Sequence, residues 1–248
     1  MRRPKEHALH MLPRRAGRGL ALFGRRRTLV SGAALLFALL LGGPVAAAAT
    51  AEPPIRLLAL GDSLTAGYGL ERAKAFPAQL ERALRGLGLN VTVENAGVSG
   101  DTSAGGRGRL TWLLGSKRAA HPDAVIVELG INDAFRGIDP EVTYGNLDAI
   151  LEQLSARRIP VLLTGMRLLP HWRTADGERF EAIFPDLATR HKIPLYPFFL
   201  EGVAGVAELN LPDGLHPNAD GIAEIVRRIT PAAAELVRTA AAQRAHTP

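Results

Sequence analysis

The chain has 248 residues, 30 basic and 24 acidic side chains, and no cysteine. Without cysteine, a disulfide scaffold, a thiolate nucleophile and a Cys-bound metal are all excluded. Nine of the basic side chains and one acid lie in residues 1–27, so 21 basic and 23 acidic side chains remain beyond them. That balance removes the broad basic field that nucleic-acid binding requires.

The basic leader runs into Thr28 to Ala51, a stretch without charge centred on Leu35-Leu36-Phe37-Ala38-Leu39-Leu40-Leu41 and ending in small residues. A basic region, an apolar region and an Ala-x-Ala site describe a signal peptide, cleaved after Ala49 or Ala51. An uncleaved membrane anchor is the alternative, because the apolar run is nearly long enough to span a bilayer. Gly42, Gly43 and Pro44 favour cleavage. Arg26-Arg27-Thr28-Leu29-Val30 resembles a twin-arginine export signal, and Met11 is an alternative start. Residues 1–51 are therefore expected to be a leader or anchor, and residues 52–248 one exported domain, periplasmic or secreted.

Ile55 to Leu60 is a compact apolar run closed by Gly61, which predicts a buried strand. Phe76, Leu80, Ala83, Leu84 and Leu87 recur at helical spacing before Gly88. Val91 to Asn95 predicts a second strand. Asp101-Thr102 opens a helix to about Leu114, with Gly105, Gly106 and Gly108 weakening its start. Ala124 to Leu129 predicts a third strand, and Asp139-Pro140 caps a helix to Arg157. Pro160 to Thr164 is a fourth strand, Glu178 to His191 a helix, and Leu195-Tyr196-Pro197 a short edge strand. Asn218 to about Ala242 is a final helix with a bend at Pro231 and an Ala-rich tail that frays beyond Leu236. Alternating strands and helices mean an α/β fold whose parallel sheet is covered on both faces.

In such sheets ligands gather beyond the carboxyl ends of the strands. Polar clusters stand there at Gly61-Asp62-Ser63-Leu64-Thr65-Ala66-Gly67, Asn95 to Thr102 and Gly130-Ile131-Asn132-Asp133, with a fourth, Pro212 to Asn218, before the last helix. These residue types suit acyl transfer. A hydroxyl attacks only when a base takes its proton, and the base needs a carboxylate to fix its tautomer. Asp213 and His216, three residues apart, can both come from one loop, with Ser63 on the other ring nitrogen. Oxyanion donors are expected from the Ser63 and Gly97 amides and the Asn132 side chain. Asp62 reads as a loop organiser and Asp133 as capping or pairing locally. Ser99 and Ser103 read as stabilising a turn and a helix start, His121 as a turn residue, His191 as a helix end, and His171 with Trp172 as lining for a substrate mouth.

Gly61-Asp62-Ser63-Leu64, Gly97, Gly130-Ile131-Asn132-Asp133 and Asp213-Gly214-Leu215-His216-Pro217 resemble, in order, the sequence blocks of the SGNH (GDSL) hydrolases. Asn95 to Ser103, Phe180 to Pro185 and Pro194 to Phe199 are similar to the thioesterase I, lysophospholipase L1 and arylesterase branch. The resemblance covers about Arg56 to Val237. It implies a flavodoxin-like three-layer α/β/α sandwich with a five-stranded parallel sheet, no metal and no cofactor. It places Ser63, Gly97, Asn132 and His216 on the four name-giving positions and Asp213 on the acid. The implied reaction is cleavage of a small acyl ester, thioester or lysophospholipid, with membrane proximity through the leader or a lipid substrate. Ile131, where relatives often carry a small residue, narrows the pocket wall, and the loop from Leu168 to Glu178 looks diverged. A carbohydrate O-acetylesterase of the same superfamily and a flavin-binding module are the competing readings.

Overall fold

A computed structural model describes residues 52–116, 121–168 and 175–246; the leader and the His171-Trp172 pair lie outside it. Five strands form one parallel sheet in the order β2-β1-β3-β4-β5. They are β1 (Ile55–Gly61), β2 (Val91–Gly97), β3 (Ala124–Glu128), β4 (Val161–Thr164) and β5 (Leu195–Tyr196). Every residue of β3 and β4 is buried, so side chains on both faces of the sheet are covered. Helices α2 (Phe76–Gly86) and α7 (Ala219–Ala245) pack on each other, and α7 crosses β1, β3 and β4. Helices α3 (Ser103–Gly115), α5 (Pro140–Ser155) and α6 (Ala175–His191) form a second row. This is the expected α/β sandwich.

The strands are apolar in unbroken runs because each residue meets a helical layer on one side or the other. Leu57, Leu60, Ile126 and Leu162 are fully buried. Only the edge strands depart from this. Outer strand β2 is half-exposed, and its outward backbone groups are met by α2: Val93 donates to Glu81 Oε2 at 2.7 Å and Arg85 donates to the Val91 carbonyl at 2.8 Å. Side chains thus cover an edge that would otherwise offer a free ladder.

Two expectations change. The tail beyond Leu236 does not fray. Val237 and Ala240 are buried, and Arg244 donates to the Pro53 carbonyl at 2.7 Å and pairs with Asp123. The glycines of α3 do not weaken its start but permit it. A Cβ on Gly106 would come within 2.2 Å of Leu129, and one on Gly105 within 1.7 Å of the Asp101 carboxyl.

Candidate active site

The four polar clusters meet at the carboxyl edge of the sheet. β1 ends at Gly61 and feeds a single helical turn, α1 (Ser63–Ala66). Asp62 caps that turn by accepting from the Leu64 amide at 2.9 Å. Ser63 is buried but for 8% of its surface. The loop before α7 is tied across itself, with Leu211 donating to the His216 carbonyl at 2.7 Å and Gly214 at φ +70°. Asn218 then caps α7 through the Asp220 and Gly221 amides.

This loop carries Asp213 and His216. His216 Nδ1 lies 2.8 Å from Asp213 Oδ2, and Nε2 lies 3.0 Å from Ser63 Oγ. Asp213 Oδ1 accepts from the His216 and Leu215 amides at 3.0 and 2.9 Å. The His216 amide above all, with the Leu215 amide and the imidazole, holds the Asp213 carboxyl down at about 2. An ionised carboxylate on Nδ1 keeps the proton there and leaves Nε2 to accept from a hydroxyl. The Tyr68 ring stacks on the imidazole, centroids 4.3 Å apart.

The groups expected to donate to an oxyanion are placed in part differently from expectation. The Ser63 amide, at the first position of α1, donates to no protein group among the described residues. Asn132 is the second residue of α4 (Ile131–Phe135), and its Nδ2 donates to Asp62 Oδ2 and to the Asp101 carbonyl, both at 2.9 Å. Gly97 does not offer its amide to the site. It ends the edge strand, and its N–H donates to Asn95 Oδ1 at 3.0 Å. Gly97 is needed for space instead, since a Cβ would lie 2.3 Å from the Ala66 nitrogen and 2.8 Å from the Asp62 carbonyl. Three residues on, Gly100 has φ +78° and an amide with no hydrogen-bond partner among the described residues. It precedes Asp101, whose carbonyl already touches Asn132. A positive φ beside the Asn132 contact was its only signal, and φ is not written in the sequence.

Asp62 is the organiser expected, joining the Leu64 amide to Asn132. Its complete burial pushes the carboxyl up to about 6. Asp133 is not a local cap. It reaches α3, accepting from Ser103 Oγ at 2.5 Å and the Ser103 amide at 2.8 Å. His191 pairs with Asp148 of α5 at 2.5 Å. An open cleft of about 190 Å³ runs from Ser63 and His216 along Leu64, Ile131, Phe135 and Leu215. Ile131 forms part of its wall, as the sequence implied. Among the described residues Arg167 is the one charged lysine, arginine or carboxylate side chain in the lining, and its guanidinium lies 5.5 Å over the Phe198 ring.

The sequence profile of the "GDSL-like Lipase/Acylhydrolase family" matches residues 59–223. The esterase TesA of Pseudomonas aeruginosa is 40% identical over 161 residues, 65% of this chain and 79% of that protein. Thioesterase 1/protease 1/lysophospholipase L1 of Escherichia coli K12 is 40% identical over 75% of this chain and 83% of its own length. Among solved structures, AlinE4, an SGNH-hydrolase family esterase, superposes with a TM-score of 0.61 at 44% identity, over 74% of this chain and 96% of its own. The chain belongs to the GDSL-like lipase/acylhydrolase family and is a serine ester hydrolase.

Proposed function

We propose that Ser63 is the nucleophile, His216 its general base and Asp213 the acid that orients the base. The observation that carries this is the unbroken relay of 3.0 Å from Ser63 Oγ to His216 Nε2 and 2.8 Å from Nδ1 to Asp213. His216 takes the Ser63 proton as Oγ attacks the acyl carbonyl. The oxyanion is received by the Ser63 amide and by the Gly100 amide, in the place first given to Gly97, and by Asn132 once its Nδ2 exchanges one of its two present acceptors, Asp62 Oδ2 and the Asp101 carbonyl, for the oxyanion. His216 then protonates the departing alcohol or thiol, and water, activated by the same imidazole, releases the acid.

The apolar cleft supports a substrate with an acyl chain, of the arylesterase, thioesterase or lysophospholipase type. Relatives named as esterase, arylesterase and thioesterase support the same class. A sugar acetate would leave Phe135, Leu215 and Leu200 without a partner, which disfavours the O-acetylesterase reading. A flavin-binding role gives no task to the Asp213–His216 pair. The leader supports export, so envelope lipids or external esters are the substrates we expect.

The test is Ser63→Ala against p-nitrophenyl esters from acetyl to lauroyl, with thioesters and lysophospholipids beside them. Turnover should vanish with the fold intact, and the wild type should prefer chains longer than acetyl. Retained turnover would place the nucleophile elsewhere. Activity confined to acetyl esters would favour the sugar deacetylase.

A further inference from the structure

One buried acid has no part in the relay. Glu128 ends β3 beside Gly61 in the sheet register, and its side chain is fully buried. Its Oε2 accepts from Thr65 Oγ at 2.7 Å and, more weakly, from the Asp62 amide at 3.3 Å. Its Oε1 is the buried side-chain polar atom left without a partner among the described residues. An orphaned buried oxygen in a native fold calls for a reason.

The location supplies one. Asp62 and Thr65 bracket Ser63, and both bind the same oxygen of Glu128. α1 is one turn of four residues, too short to hold its own shape. Its geometry therefore depends on what it is tied to. The motif's first glycine fits this arrangement, because a Cβ on Gly61 would lie 2.5 Å from Glu128 Oε2 and 2.1 Å from Thr65 Oγ. On the far side, the Asp62 carboxyl holds Asn132. A chain of contacts thus runs from Glu128 through the nucleophile turn to an oxyanion donor.

We propose that Glu128 is a positioning residue that brackets Ser63 and sets the register of the nucleophile turn against the oxyanion donors. The inference rests on Ser63 being the nucleophile. Burial first, and the neighbouring Asp62 charge second, hold the Glu128 carboxyl well above the ordinary carboxylate range. The contacts it makes are acceptances on Oε2, from the Thr65 hydroxyl and the Asp62 amide, and acceptance is the task assigned to it. A displacement of about 1 Å at a reacting group can cost about 10²-fold in rate, so loss of the bracket should appear in the chemical step.

Three variants test this: Glu128→Gln, Glu128→Leu and Thr65→Val. For each, kcat and KM for p-nitrophenyl butyrate are measured per site titrated with a fluorophosphonate, and the melting temperature is recorded. Glutamine keeps an uncharged acceptor and should stay within about threefold of wild type in kcat. Leucine should lower kcat per titrated site by about 10²-fold with KM nearly unchanged, and Thr65→Val should lower it in the same direction. A purely structural role would lower the melting temperature and the number of titratable sites but leave kcat per site intact, which overturns the proposal. Equal loss in Glu128→Gln and Glu128→Leu also overturns it, because charge would then be what matters. If Glu128→Leu does not fold, Thr65→Val decides alone, since it removes only the hydroxyl. Failure of the nucleophile assignment is read separately, as turnover surviving in Ser63→Ala.

Discussion

Asp62→Asn separates what the buried carboxyl does for stability from what it does for Asn132. The Asp62 carboxyl moves from the ordinary 3.8 to about 6 in the folded protein, chiefly through burial. A carboxyl raised on folding favours the protonated native state. Its contribution is therefore fully present below about pH 4, declines as pH rises to about 6, and is constant and unfavourable above that. The full penalty is about 3 kcal/mol, of which about 1.4 kcal/mol falls between pH 5 and pH 8. Asparagine cannot ionise, so this component of the slope disappears. Its amide must also face the Leu64 amide or Asn132 Nδ2, both donors, and one unmet contact costs about 1–3 kcal/mol. The two effects nearly cancel at pH 8, so the absolute stability of the variant is uninformative and the pH slope is the quantity to measure. Urea unfolding at pH 5 and pH 8 should show wild type losing about 1.4 kcal/mol more than Asp62→Asn over that interval. Parallel losses in the two proteins would refute the buried-charge account. At either pH the variant should be slower by about 10-fold or more, because one amide oxygen cannot serve both the Leu64 amide and Asn132, which leaves either the nucleophile turn or Asn132 with one tie fewer.

Tyr68→Leu removes the ring stacked on His216. A cation–π contact is worth about 0.5–1 kcal/mol at an exposed site, so kcat should fall about two- to fivefold, and Tyr68→Phe should keep wild-type turnover. Gly97→Ala drives a methyl group into the Ala66 backbone and the Asp62 carbonyl. It should lower melting temperature and slow fluorophosphonate labelling, whereas a residue acting only as amide donor would tolerate alanine. Arg244→Ala frees the end of α7 from the Pro53 and Pro54 carbonyls and Asp123. Amide exchange should quicken in the last two turns of α7 while kcat stays unchanged, and overall stability should drop by about 1–2 kcal/mol.

The main strands and long helices were legible because each carries a run or a stripe of apolar residues longer than one turn. Pro140 after Asp139 predicted the start of α5, and Asp139 does accept from the Glu141 amide at 3.0 Å. The single turns α1 and α4 left no such pattern. They exist because Asp62, Glu128 and Asp101 hold them from other parts of the chain, and periodicity carries no trace of such contacts. The segment from Leu168 to Glu178, read as a loop, is helical from Ala175 onward. The contact between Asp213, His216 and Ser63 was legible because Asp213 and His216 share one short loop. The choice of glycine amide for the proposed oxyanion hole was not, since Gly97 and Gly100 look alike in sequence. What distinguishes them is that one ends an edge strand with its amide turned outward while the other sits at a positive φ beside Asn132.

Three carboxyls surround Ser63, and the fold moves Asp213 down and Asp62 and Glu128 up. Asp213 is near solvent and accepts from two amides and an imidazole, which keeps it ionised down to about pH 2. Asp62 accepts two donors but is wholly buried, and burial outweighs them. Glu128 is also fully buried, with one oxygen accepting twice and the other not at all, and burial raises it well above the ordinary carboxylate range. Acidification should therefore protonate Asp62 long before Asp213. A proton on Asp62 weakens the acceptor that holds Asn132 while the Asp213–His216 contact survives. In an amide NMR titration, the Asn132 side-chain resonances should shift with a midpoint near 6, the level set at Asp62. Asn132 signals that stay fixed from pH 7 to pH 5 would mean that Asp62 does not govern Asn132, and that the level of this buried acid has no bearing on the proposed oxyanion hole.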